Sequence, residues 1–337
     1  MTEDPPKSRA PSIRDVARLA GVSHQTVSRV LNNHPSIRET TKQRVLDVME
    51  QLQYRPNRAA RALVTSKSHT LGVLTASSTQ YGPTSSIAAI EDAAREAGYY
   101  VNTANIASTA PESIAGAIEH LMNQAIEGLV VIAPQVRVFD LLAAMAIEVP
   151  YVSLQSTGHA EHRALAVDQI AGARMATRHL VELGHREIIH LAGPQDWIEA
   201  EARMQGFLDE IDEAELRTHP PILGDWSADF GYFAGRELLH HRDFTAVFAA
   251  NDHMAIGLLH AFREAGIDVP GEVSVVGFDD VPIAKHLWPP LTTVYQDFRE
   301  IGRRAIALLL AEMHDDIGPR EELVRPQLIV RDSTGPA

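Results

Sequence analysis

The apolar positions of this chain keep one rhythm near its start and another afterwards. In IRDVARLAGVSHQTVSRVLNN (13–33) they recur three and four residues apart, in two short runs broken at Gly21. That spacing predicts two amphipathic helices joined by a tight turn. Val16, Leu19 and Ala20 form the apolar face of the first helix, and Val27, Val30 and Leu31 that of the second, with Val22 packed inside the turn. Ser12 is placed to cap the first helix, with Asp15 at its positive end, and Ser23 to cap the second. Ser36 and Glu39 have the spacing of a capping box, so a third helix is expected from Ser36. Val45, Val48, Met49 and Leu52 would close a small three-helix core. NRAARAL (57–63) then adds a second basic helical pattern.

From Leu71 onward short apolar runs alternate with amphipathic stretches. LGVLT leads to SIAAIEDAAREAG, a helix over 86–98, and then to YYVNTANI and EGLVVIA. The second half repeats the scheme with EIIHLAG, AVFAA, EVSVVGF and a last strand in RPQLIVRDSTGPA. This alternation predicts parallel sheets covered by helices. Two sets of strands in about 270 residues suggest two α/β lobes with a cleft between them.

Charge sharpens the division. The whole chain carries a net charge of −14, yet residues 1–67 hold 12 Lys and Arg against 6 Asp and Glu. The remaining 270 residues therefore carry a net −20, so a basic head precedes an acidic body, the asymmetry expected of a nucleic-acid reader. Zero cysteines exclude thiol catalysis, disulfides and cysteine-ligated metals. The N-terminal segment has no signal-peptide core and no window is long and apolar enough for a membrane span, so a cytoplasmic location without membrane attachment is expected. No metal or cofactor is expected.

The outward face of the second helix carries His24, Gln25, Ser28 and Arg29. A helix-turn-helix sets the start of that helix in the major groove. There glutamine suits adenine and arginine suits guanine through paired hydrogen bonds. The alternative is a plain pair of helices with a solvated face.

In the body, ligands of such sheets bind beyond the C-terminal strand ends. Gln155 follows YVSL, Asn251 follows AVFAA, Asp279 follows SVVGF, Arg203 lies on the helix after HLAGP, and Trp226 sits in GDWSA. Planar amide, carboxylate, guanidinium and aromatic ring together suit a sugar, whose hydroxyls take paired hydrogen bonds while its C–H face lies on a ring. Each also has a plainer reading: Asn251 and Asp279 as helix caps, Trp226 as lobe packing, Arg203 in a surface ion pair.

DVARLAGVS, TVSRVLN and Tyr54-x-Pro56-Asn57-x-Ala59-Ala60-x-x-Leu63 resemble the head of the lactose-repressor (LacI/GalR) family of transcriptional regulators, and the resemblance runs the length of the chain. It implies an N-terminal all-α helix-turn-helix head with a hinge helix, and an α/β two-lobed effector domain like the periplasmic binding proteins. The implied divisions are a flexible lead over 1–11, the head over 12–56, hinge and linker over 57–67, and the body over 68–337. One lobe would take about 68–167 and 298–325, the other about 168–297 and 326–333.

The resemblance further implies that His24, Gln25, Ser28 and Arg29 read bases, that Ser23, Thr26, Asn32, Tyr54 and Asn57 touch the DNA backbone, and that Ala60 and Leu63 enter the minor groove, Leu63 as a wedge. A core leucine at a domain junction is the plainer reading of Leu63. The implied partners are near-palindromic operator DNA, a second copy of the chain and a small sugar effector. Arg203, Asn251 and Asp279 stand at the family's ligand positions. The family's lactose-responsive member is matched closely at Tyr81-Gly-Pro83, at GDWSA and at PPLTTVYQDF, which adds Tyr81, Pro83, Gln296 and Phe298. It has an aspartate at the position of Gln155 and a serine at that of Trp197, so a galactoside or other glycoside with an altered or larger aglycone side is expected. No heptad helix follows the last strand, so a dimer rather than a tetramer is expected, with the helix over 86–98 in its interface. A repressor of a carbohydrate-utilisation operon is expected, released from its operator by a sugar inducer bound between the lobes; the alternative is a corepressor that tightens the grip, as in purine-responsive members.

The enzyme alternative has little to stand on. G-x-S-x-G, P-loop and G-x-G-x-x-G patterns are missing, and His240-His241 lacks H-E-x-x-H spacing. Asp279 and Asp280 are adjacent, whereas glycosidase carboxylates oppose each other across about 5 Å or more.

Overall fold

The computed structural model describes residues 11–31, 34–54, 67–76, 79–133, 135, 138, 141–142, 145, 147–154, 164–217, 219–316 and 322–337. They fall into two compact units, Met1–Ser68 and His69–Ala337.

The first unit holds α1 (Ile13–Ala20), α2 (His24–Leu31) and α3 (Glu39–Gln51). Ser12 opens α1: the Asp15 carboxylate accepts from the Ser12 N–H at 2.9 Å and from its hydroxyl at 2.7 Å. Gly21 ends it at φ +63°, the left-handed turn that a side chain would strain. Val16, Ala17, Ala20, Val27, Val30 and Val45 form the core, flanked by Val22, Leu31, Val48, Met49 and Leu52.

Two expectations fail here. Leu19 is 53% exposed and Ala17 is buried in its stead. At 100° per residue the buried arc runs through Ile13, Val16, Ala17 and Ala20, which leaves Leu19 just past its edge. The third helix starts at Glu39, not Ser36, and Arg38 occupies the cap position without a side-chain cap. Ser36 instead donates from its N–H to His34 Nδ1 at 3.2 Å, with its hydroxyl 2.8 Å from the same nitrogen. A local turn thus takes the serine that would have capped a helix.

The second unit has two sheets. The first runs β2-β1-β3-β4-β5, all parallel: β1 (Thr70–Ala76), β2 (Tyr100–Ile106), β3 (Gly128–Ile132), β4 (Tyr151–Leu154) and β5 (Ala164–Leu165). Its helices are α4 (Tyr81–Glu96) and α5 (Pro111–Met122). The second sheet runs β11-β10-β9-β8-β6-β7, from β6 (Ile188–Ala192), β7 (Ile222–Leu223), β8 (Ala246–Ala249), β9 (Ser274–Asp279), β10 (Thr292–Tyr295) and β11 (Gln327–Ile329). Only β11 pairs antiparallel. Around it lie α6 (Gln169–Glu182), α7 (Ile198–Glu213), α8 (Ala228–Leu238) and α9 (Asp252–Glu264). A final helix, α10 (Phe298–Glu312), returns to the first lobe, where Ile301, Ala305, Ile306 and Leu309 join a core with Leu71, Val73 and Ile90.

Helix α4 begins at Tyr81, five residues before the expected start at Ser86. Pro83 lies in its first turn, where a missing N–H leaves no intrahelical bond unmade. The early start brings Tyr81 and Pro83 to the cleft.

The chain passes between the lobes three times, near 166–168, 296–297 and 323–326. These passages are tied together. Asp168 N–H donates to the Val324 carbonyl at 3.0 Å, and Val324 N–H to that of Ala166 at 2.8 Å. Gln169 Nε2 donates to Gln296 Oε1 at 2.7 Å, buried.

Candidate functional site

On α2, Val27 and Val30 turn inward, which leaves His24, Gln25 and Arg29 exposed and Ser28 half-buried. The Ser23 hydroxyl accepts from Thr26 N–H at 3.1 Å and lies 2.9 Å from Thr26 Oγ1, so these two residues fix the start of the helix. Tyr54 packs its ring half-buried against the head's core, and burial raises its hydroxyl pKa. Asn32, Asn57, Ala60 and Leu63 lie outside the described residues.

The second unit has a cleft of about 770 Å³ between its lobes, open solvent at the mouth included. Tyr81, Pro83, Trp197, Arg203, Trp226, Asn251, Asp279, Gln296 and Phe298 all line it. Gln155 lies outside the described residues. The size fits a small-molecule site.

Phe298 and Tyr81 meet edge to face at 5.9 Å on the first-lobe side, and Trp197 and Trp226 at 5.5 Å on the other. Trp226 is held with φ at +71°, and its indole presses on Gly193, where any Cβ would collide with the ring. Asn251 secures that residue. Its Nδ2 donates to the Trp226 carbonyl at 3.0 Å, while its Oδ1 accepts from Met254 N–H at 2.9 Å and caps α9. The plainer reading of Asn251 as a cap is thus realised, in a residue that also faces the cleft.

Asp279 ends β9 at φ +113° and caps no helix. It accepts from Gln296 Nε2 at 2.7 Å and stands 3.4 Å from Arg203 Nη1. Arg203 Nε donates to Gln169 Oε1 at 2.8 Å, and Gln169 passes the chain on to Gln296. Arg203, Gln169, Gln296 and Asp279 therefore form a closed, buried ring of polar contacts. Arg203 Nη1 also donates to the Ala250 carbonyl, and its guanidinium stacks 3.9 Å from the centre of Phe278. That burial rules out the surface ion pair. Burial raises the Asp279 pKa and Arg203 counters it.

Gln169 and Glu199 are among the lining residues that escaped the sequence reading. Gln169 opens α6 directly after the Asp168 cap, a position that signals a helix start but not a cleft. Glu199 lies one turn before Arg203 on α7, and burial raises its carboxyl pKa to about 7. The four-residue spacing of Glu199 and Arg203, which sets both on one helix face, could have revealed it. Among the described residues no cluster of metal-ligating side chains occurs, and no helix is long and apolar enough to cross a membrane.

Comparison with known proteins agrees in both units. Residues 12–57 match the model for bacterial regulatory proteins of the lacI family, and residues 177–334 match a periplasmic binding protein-like domain. The lactose operon repressor of Escherichia coli (strain K12) is 32% identical over 329 residues, covering 96% of this chain and 90% of that protein. The HTH-type transcriptional repressor PurR of Haemophilus influenzae (strain PittEE) is 31% identical over 331 residues, covering 96% and 98%. A crystal structure of the lac repressor dimer bound to operator and the anti-inducer ONPF superposes with a TM-score of 0.87 at 32% identity, covering 97% of this chain and all of that one.

A helix-turn-helix head on a two-sheet, periplasmic-binding-protein-like body defines a DNA-binding transcriptional regulator. The chain belongs to the LacI family of bacterial regulatory proteins.

Proposed function

We propose that this regulator is a sequence-specific repressor of a carbohydrate-utilisation operon, released from its operator by a galactoside-like sugar in the cleft. The observation that carries this reading is the ring of Arg203, Gln169, Gln296 and Asp279 between aromatic walls. Fixed donors and acceptors match adjacent hydroxyls, and the rings match the apolar face of a pyranose. In this reading Trp226 and Phe298 take that face, while Gln155 and Trp197 shape the aglycone side. No step of catalysis is assigned to the chain.

The DNA-bound form is a homodimer on a near-palindromic operator in the cytoplasm. His24, Gln25, Ser28 and Arg29 read the major groove, and Ser23, Thr26, Asn32, Tyr54 and Asn57 hold the backbone. The segment 57–64 is too short to be a stable helix alone. It folds against its mate and the DNA, Ala60 and Leu63 enter the minor groove, and Leu63 wedges a base step apart. A sugar that favours another lobe arrangement separates the two segments.

A second reading, in which ligand tightens DNA binding, is supported by the likeness to PurR, 31% identical against 32% for the lactose operon repressor. Operator titrations with and without galactosides, glucosides and purines separate the two. Release by a galactoside supports the first; tightening by a purine replaces it with the second.

A further inference from the structure

The cleft contains two carboxylates and one cation among its described lining residues: Glu199, Asp279 and Arg203. Arg203 is engaged through Nε and Nη1. Its guanidinium serves Gln169, the Ala250 carbonyl and Asp279, and it stacks on Phe278. Glu199 stands apart: its Oε2 is buried and has no hydrogen-bond partner among the described residues. A buried carboxylate oxygen without a partner costs free energy, and the cost falls once a donor arrives. The Trp226 Nε1–H is likewise buried and without a partner among the described residues.

We infer that the effector is an amino sugar, a hexosamine with a free ammonium group, and that Glu199 selects it over the neutral hexose by taking that ammonium at Oε2. This inference rests on the sugar-cleft reading above and names the sugar's class. The surroundings fit a cation. Trp197, Trp226, Tyr81 and Phe298 line the same cleft, and the face of an aromatic ring attracts an ammonium. An ammonium also restores charge balance, because Asp279 already has Arg203 as its counterion. A hexosamine keeps its remaining hydroxyls, one of which can accept the indole N–H of Trp226.

Burial holds the Glu199 pKa near 7, so part of the carboxyl is protonated in the free protein at neutral pH. An ammonium favours the ionised form, and its binding expels that proton. The preference for the hexosamine should therefore weaken as pH falls below about 7.

The experiment is a calorimetric titration of the full chain at pH 7 with galactose, galactosamine, glucose, glucosamine and N-acetylgalactosamine. It is run in two buffers of different ionisation enthalpy and repeated for Glu199→Gln and Glu199→Ser. In the wild type one of the two hexosamines should bind about tenfold more tightly than its parent hexose, with proton release. In both variants the ratio should fall to within about twofold and the proton release should vanish. N-acetylgalactosamine, which has no ammonium, should show no advantage over galactose. If a neutral hexose binds as tightly as its amine, or the variants keep the preference, the ammonium assignment is overturned while the sugar cleft stands. If the folded wild type binds no sugar of either kind, the cleft reading falls together with this one.

Discussion

Asp279 and Trp226 both have positive φ, a conformation that non-glycine residues seldom adopt and that costs on the order of 1–3 kcal/mol each. Both line the cleft, and the strain aims a carboxylate and a ring where relaxed backbone would not. Asp279→Asn keeps the shape and removes the charge opposite Arg203. Effector affinity should drop about 10- to 100-fold while operator affinity stays within about twofold, measured by calorimetry and gel shift. In the head, Arg29→Ala should cost about 1–3 kcal/mol of operator discrimination and less of nonspecific binding. Equal losses would make Arg29 a phosphate contact.

His190 gives a pH prediction. It is stacked between Phe207 and Phe248, each ring centre 4.8 Å away, and burial lowers its pKa to about 4. The unfolded chain takes up a proton at about 6.5 while the folded one does not, so this contribution is present above pH 6.5 and fades towards pH 4. It amounts to about 3 kcal/mol. His190→Phe keeps a ring in the stack and should flatten that part of the urea-midpoint profile between pH 6.5 and 4.

Among the helices and strands, those with a full apolar period were legible, and their edges were not. LGVLT lies on a strand and EIIHLAG, AVFAA and EVSVVGF each contain most or all of one, because a buried parallel strand is apolar along its whole length. Leu19 misled because an eight-residue helix has too few turns to fix which edge of its stripe is buried. Ser36 misled because a capping spacing says nothing of a nearer partner, here His34. The start of α4 was missed because Pro83 reads as a breaker until it is known to lie in a first turn. The candidate cleft was legible where residues follow strands. Gln169 was hidden because its importance comes from two distant residues, Arg203 and Gln296, and nothing local in VDQIAGA signals them. Gln169→Leu should lower body stability by about 2 kcal/mol, since it leaves Arg203 Nε and the Gln296 carbonyl oxygen buried without their partner. A urea midpoint unchanged from wild type would show that the ring is not structural.

For the molecule as a whole, the proposed mechanism couples two binding events, and coupling is reciprocal. If sugar weakens operator affinity by some factor, operator must weaken sugar affinity by the same factor. Calorimetry of the sugar with and without operator DNA tests this; independence of the two sites would end the proposal. Leu63→Ala should reduce the bend of bound operator in a circular-permutation gel assay, and an unchanged bend would remove the wedge.

The three passages between the lobes have a mechanical consequence. Because backbone hydrogen bonds join 166–168 to Val324 and the Gln169–Gln296 side-chain hydrogen bond ties in the third passage, they behave as one laminated ribbon. Such a ribbon resists stretch and sideways slip, since either would break several hydrogen bonds at once. It yields only to bending and twist. In the proposed mechanism a small molecule wedged beside it works like a key on a torsion bar: it chooses the angle between the two lobes.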